Sequence, residues 1–322
     1  MSGRGAAPGR PEAKTRSPRA ESKGLVPMLA VLLLACTEPP MVQPPPTRRV
    51  APAAAVFSPP SGFTKLRFGL VPFLSAETMT ASHKRMADHL SKSLSVPVEL
   101  IVGDSYGDAI DRLQRGEFDL VELSPLAYAE ASGRMKLRCV LQTIADGSAT
   151  ASGYIFVRDD SPRRTIDDLK GASFGFVDPM STSGSLMARK LLKDKGFDLA
   201  RDLGKTEYLG NHEAVLLAVM EGRVDAGATY QGSFGALRRS KGVDPLTFRV
   251  IAKTPRTPRD IFCVRPDLPS EISDAITASL MPLSGRDRAG REILGPLNLN
   301  GFQPANDSAY DLVRAVAAEL KK

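Results

Sequence analysis

The sequence predicts an α/β protein of two lobes with a ligand cleft between them. Three observations lead there. From Lys65 onward, short apolar runs alternate with stretches at helical spacing, the pattern of strands and crossover helices in parallel sheets. The alternation continues for about 260 residues, more than one core usually serves. One unit also recurs. AIDRLQRGEFDLVELSPLAY (109–128) and AVLLAVMEGRVDAGATYQGS (214–233) each read as a helix closed by Gly116 or Gly222, then Asp119 or Asp225 opening a short apolar strand. Glycine suits the left-handed position that ends a helix. Many αβ units share this plan, so the echo carries weight only beside the other two observations.

Taken in order, LRFGLV (66–71) reads as a strand and 76–94 as a long amphipathic helix. VELIVG (98–103), a helix from Tyr106 to Arg115, and DLVEL (119–123) follow. After SFGFV (173–177) comes DPMSTSGSLMARKLL (178–192), in which Ser181, Thr182, Ser183 and Gly184 precede the helically spaced Met187, Ala188, Leu191 and Leu192. One hydroxyl suffices to cap a helix. Three hydroxyls and a glycine offer more donors than the helix uses, at an end whose free N–H groups and dipole suit an anion. KTEYL (205–209), a helix from Asn211, VDAGAT (224–229), another helix and FRVIA (248–252) complete the alternation.

The ends differ from this body. Residues 1–24 are basic and rich in Gly and Pro, and Leu25–Ala35 is an apolar run too short to span a bilayer. A positive flank before a short apolar core describes a secretory signal. Cys36, directly after Leu33-Leu34-Ala35, resembles a lipobox cysteine and is the expected lipidation site. Residues 37–62 are dense in Pro and Ala and read as a tether between a membrane anchor and the body. Residues 1–35 hold six Lys/Arg and two Asp/Glu, so their removal takes the formal charge from +7 to +3. The remaining basic residues are scattered and no aromatic platform accompanies them, which argues against nucleic acid. Cys139 and Cys263 then remain, either paired or as free thiols.

Nothing in the chain asks for catalysis. GASFG (171–175) matches a nucleophile-elbow spacing, but that serine must follow a strand and open a helix, whereas Ser173 enters a strand. His83, His89 and His212 lack metal-ligand spacing. No phosphate loop, dinucleotide fingerprint or Cys/His cluster appears, and no metal or cofactor is expected.

From Leu66 to about residue 265 the chain resembles the periplasmic phosphate/phosphite/phosphonate-binding proteins of ABC transporters. The resemblance rests on LRFGLVPF (66–73), VPVELIVGDSYGDAIDRLQRGEFDL (96–120), SPLAY (124–128), GY (153–154), DPMSTSGSLM (178–187), GNHEAVLLAVMEGRVDAGA (210–228) and TPRTPRD (254–260), in the family's order. It implies a two-lobed, periplasmic-binding-protein-like class II fold joined by two crossover strands. The implied division is lobe 1 over 63–152, lobe 2 over 153–258, and a return to lobe 1 over 259–322. Carried over by position, Ser181, Thr182 and Ser183 would bind the phosphoryl oxygens and Gly184 would let the backbone approach. Tyr106 and Tyr154 would reach in from the other lobe, and His212 would add a donor. Each also has a plainer reading, as a packing aromatic or a cap neighbour. Two departures stand out. Ser124-Pro125 replaces the family's Gly-Pro. Of the two acids that hold an ammonium in aminoalkylphosphonate binders, Asp260 has a counterpart here, whereas Ala228–Gly232 carries none.

The implied function is capture of phosphate, phosphite or a small phosphonate for an ABC permease and ATPase, by a monomer lipid-anchored at a bacterial membrane. Alternatives are an oxyanion sensor reporting to a membrane kinase and, with less support, a phosphoester or phosphonate hydrolase. With Asp260 as the lone acid, inorganic phosphate, phosphite or an alkylphosphonate is expected to bind better than 2-aminoethylphosphonate.

Overall fold

The computed structural model describes residues 57–321. The expected signal segment, Cys36 and most of the tether lie outside the described residues. The chain runs β1 (Leu66–Leu70), α1 (Ala76–Leu94), β2 (Val98–Val102), α2 (Tyr106–Gln114), β3 (Leu120–Leu123), α3 (Pro125–Arg134) and β4 (Arg138–Ile144). It continues through β5 (Thr150–Ala151), β6 (Gly153–Arg158), β7 (Phe174–Phe176), α4 (Met187–Asp194), α5 (Leu199–Asp202), β8 (Thr206–Tyr208) and α6 (His212–Met220). Then come β9 (Ala226–Tyr230), α7 (Ser233–Lys241), β10 (Phe248–Lys253), β11 (Thr257–Pro258) and β12 (Ile261–Val264). Helices α8 (Ser270–Leu280) and α9 (Arg288–Leu294), strand β13 (Gly301–Pro304) and helix α10 (Asp311–Leu320) close it.

These strands form two main sheets, ordered β13-β4-β12-β3-β1-β2 and β10-β6-β9-β7-β8. The central strands are apolar because helices cover both faces. In β1, Leu66, Phe68 and Leu70 are fully buried, and a Cβ on Gly69 would stand 2.2 Å from the Phe118 ring. Helix α1 starts at the Ser75 cap and buries Met79, His83, Met86, Leu90 and Leu94, the spacing of one helical face.

The repeated unit has a common structural use. Asp119 accepts the Arg67 amide at 2.8 Å, and Asp225 accepts the Ser173 amide at 2.8 Å. Each carboxylate thus ties the start of its own strand to the start of the parallel neighbour. Burial opposes the Asp119 charge, but hydrogen bonds from Arg67 and Arg265 hold its carboxyl below the usual range. The Ser173 hydroxyl donates to Asp225 at 2.9 Å, a structural engagement rather than a nucleophile's.

The expectation of parallel sheets holds for part of each. Strand β1 is parallel to β2 and β3, and β7 to β8 and β9. By contrast β12 runs antiparallel to β3 and β4, and β6 antiparallel to β9 and β10. The reason is the crossing. Strands β1 and β3 run toward the junction of the sheets, whereas β12 enters from it after the short antiparallel ribbon β5–β11. A strand entering from the opposite end needs no crossover helix and pairs antiparallel.

Cys139 and Cys263 face each other across β4 and β12 as free thiols, with Sγ atoms 3.4 Å apart. Among the described residues no helix is long and apolar enough to cross a membrane.

Candidate functional site

In α/β sheets, ligands bind beyond the carboxyl ends of the parallel strands. Here β1 and β3 of one sheet, and β7, β8 and β9 of the other, lead into residues around one cavity of about 120 Å³. Four helical starts meet there. Tyr106 opens α2 behind the Ser105 cap, and Pro125 opens α3 behind Ser124. His212 opens α6 behind Asn211, and Thr182 opens a π-type turn, capped by Ser181, that runs into α4. In that turn the Leu186 amide reaches back to the Ser181 carbonyl at 3.0 Å, five residues away. Each start contributes the positive end of a helical dipole, so the cavity favours an anion.

The hydroxyls of the Ser–Thr–Ser mouth have separate roles. Ser181 Oγ accepts the Gly184 amide at 3.2 Å. Thr182 Oγ1 accepts the Leu126 amide at 2.8 Å, linking the mouth to α3 of the first sheet. Ser183 lines the cavity half-buried. Ser124 Oγ accepts the Ala127 amide at 3.3 Å and donates to the Met180 carbonyl at 3.4 Å.

Six of the expected residues line the cavity together: Tyr106, Ser181, Thr182, Ser183, His212 and Asp260. His212 stacks edge-on to Tyr230, its Nδ1 lies 3.0 Å from Thr229 Oγ1, and burial depresses its pKa to about 3. Its imidazole is therefore neutral and keeps one N–H donor. Burial pushes the Tyr106 and Tyr230 hydroxyls well above their ordinary range, so both stay protonated donors. Arg259 also lines the cavity, but its guanidinium is engaged by the Ser148 carbonyl at 2.9 Å and by Asp146 at 3.3 Å.

Two of the expected residues lie off this lining. Tyr154 is not among the lining residues. Side chains alternate along β6, so while Gly153 faces Ser183, Tyr154 points to the opposite face, against Phe234 and under Lys253. Gly184 does not line the cavity either. A Cβ there would meet Val177 at 2.3 Å and His212 at 3.0 Å, so its small size serves packing behind the mouth.

The reading of a lone acid is also revised. No acid lies in Ala228–Gly232, but Glu122 from β3 lines the same cavity as Asp260. Glu122 is opposite Phe262 in the antiparallel register, and Asp260 is two residues before Phe262, so the two acids share a face as diagonal neighbours. Burial, and then the Glu122 charge, push Asp260 up to about 7. A glutamate inside the apolar strand DLVEL was the available signal. Tyr230 carried none beyond being an aromatic at a strand end.

A two-lobed α/β fold with an anion-suited cavity at the strand ends is the architecture of class II solute-binding proteins. Among solved structures with this fold is a binding-protein component of an ABC phosphonate transporter from Pseudomonas aeruginosa. It is 21% identical with a TM-score of 0.75, covering 80% of this chain and 87% of that one. Another is a Prochlorococcus marinus protein in complex with methylphosphonate, 20% identical with a TM-score of 0.72, covering 80% and 99%. By sequence, a probable ABC transporter phosphite binding protein of P. marinus is 23% identical over 281 residues, 83% of this chain and 94% of the relative. The Phosphate-import protein PhnD of Mycolicibacterium smegmatis is 23% identical over 218 residues, 64% and 68%. The family of ABC transporter, phosphonate, periplasmic substrate-binding proteins matches residues 68–310. The chain belongs to that family.

Proposed function

We propose that this chain is the lipid-anchored receptor of an ABC importer, capturing phosphate, phosphite or a small alkylphosphonate between its lobes for a permease and an ATPase. The observation that carries the reading is the meeting of four helical starts on one cavity lined by the neutral donors Tyr106, Tyr230 and His212, with Arg259 engaged by Ser148 and Asp146. Neutral donors on dipole ends hold an anion less tightly than buried guanidinium groups, which suits a receptor that must release its cargo. In this reading Ser181, Thr182 and Ser183 hold the anion from one lobe, Tyr106 and Asp260 from the other, and His212 donates from the start of α6. The reading places the chain in the periplasm, which the family supports, with Cys36 lipidated, which the apolar run directly before it supports.

Calorimetric titration of the full mature chain with phosphate, phosphite, methylphosphonate and 2-aminoethylphosphonate tests the reading. One of the first three should bind most tightly. Failure of all four to bind overturns it, and a tenfold advantage for the aminoalkyl compound, about 1.4 kcal/mol, overturns the assigned ligand class.

A further inference from the structure

His83 and Glu122 form a fully internal pair that anion capture by the mouth does not require. His83 is completely buried in α1, and its Nδ1 lies 2.8 Å from the Met79 carbonyl. A carbonyl only accepts, so Nδ1 carries a hydrogen. Its other nitrogen, Nε2, lies 2.8 Å from Glu122 Oε2. That contact ties the imidazole to the carboxyl inside the fold. His83 thereby fixes the orientation of Glu122, while Glu122 still borders the cavity. Phe68 and Phe73 stand edge-on to the imidazole and keep the pair dry.

We propose that Glu122, positioned by His83, is a specificity-determining residue that makes the cleft select oxyanions carrying a P–OH group over oxyanions with none. The inference rests on the reading of the cavity as an oxyanion site. Helical starts and hydroxyls from both sheets supply donors to the anion's bare oxygens. In the same cavity Glu122, held by His83 through Oε2, supplies a carboxyl acceptor, which a ligand hydroxyl pairs and a bare anionic oxygen does not. Asp260, its proton retained toward neutral pH by burial and by the Glu122 charge, complements this by donating. An anion without a hydroxyl sets bare oxygens against the Glu122 carboxyl, and a buried acceptor left unpaired is penalised. The same arrangement weighs against an ammonium group: Glu122 is already engaged by His83, and Asp260 is raised to about 7, so two free, fully ionised carboxylates are not offered.

Methylphosphonate monoanion and methanesulfonate are the discriminating pair. They match closely in shape and charge and differ in the central atom, phosphorus or sulfur, and in one hydroxyl hydrogen. A site built to pair a ligand hydroxyl rejects an analogue lacking it by up to ~10⁴-fold. The wild-type chain, titrated with both at neutral pH, should prefer methylphosphonate by at least ~100-fold. Glu122→Gln, which adds an N–H donor, should narrow the preference at least ~10-fold by tightening methanesulfonate. Glu122→Met, which removes the acceptor without adding a donor, should narrow it by weakening methylphosphonate and stands in if the Gln variant does not fold. Equal wild-type affinities, or a preference unchanged in a folded Glu122 variant, overturn the inference. Absence of binding to methylphosphonate, phosphate and phosphite alike overturns the oxyanion reading itself, which separates the two failures.

Discussion

Thr182 Oγ1 accepts the Leu126 amide at 2.8 Å, so the mouth of a turn on one sheet caps the first turn of a helix on the other. This bond joins the two walls of the cavity and uses the side chain that family resemblance alone assigns to the ligand. Thr182→Val keeps the shape and leaves a buried N–H unpaired. It should lower stability by about 1–3 kcal/mol, with Thr182→Ser close to wild type. Urea denaturation of the three proteins checks this, and equal midpoints for Val and Ser would show that the bond contributes nothing.

Ser183 gives the cleanest test of the anion site, because its neighbours in the mouth have internal duties. Ser183→Ala should leave stability within about 0.5 kcal/mol and weaken the bound oxyanion by about 1.5–3 kcal/mol, the range for a hydrogen bond to a charged group. Calorimetry beside a denaturation curve separates the effects. Undiminished affinity places the anion elsewhere.

Gly184 tests packing rather than ligand contact. Its missing Cβ is filled by Val177 and by the edge of His212. Gly184→Ala should displace both and destabilise the chain by about 1–3 kcal/mol, the range for overpacking. Because His212 borders the cavity, affinity should fall as well. A stable variant with native affinity would mean that Val177 and His212 yield freely.

Asp260 and His212 act oppositely on stability. Asp260 has an ordinary value of 3.8 and is raised to about 7 in the fold by burial and the Glu122 charge. The fold therefore retains a proton that the unfolded chain releases. Its contribution is full below 3.8 and is lost as pH rises toward 7. His212 falls from 6.5 to about 3 through burial, so its contribution is present above 6.5 and is lost as pH falls toward 3. Over the shared window the two slopes offset. Asp260→Asn should make stability rise more steeply with pH there, and His212→Gln should make it rise less or fall. Denaturant titrations across the window check the signs, and parallel pH profiles for the two variants contradict the opposition.

The sequence by itself determined what depends on local pattern. Apolar periodicity marked β1, α1, β3 and the αβ units, because strand and helix repeats are written in neighbouring residues. The recurring Asp119 and Asp225 marked equivalent strand starts, and the Ser–Thr–Ser–Gly mouth marked a donor-rich helical start. Only the tertiary structure decided which groups meet. Glu122 and Asp260 are far apart in the chain and become neighbours through the register of β12 on β3. His83 joins them from α1, and Thr182 gains a bridging role because Leu126 lies opposite, its hydroxyl hydrogen still free to donate. Tyr154 leaves the cavity because strand alternation fixes its face, and the face that meets the cavity is set by long-range packing. Contacts across sheets and lobes carry no short-range signature, so their chemistry emerges only when the chain has closed on itself.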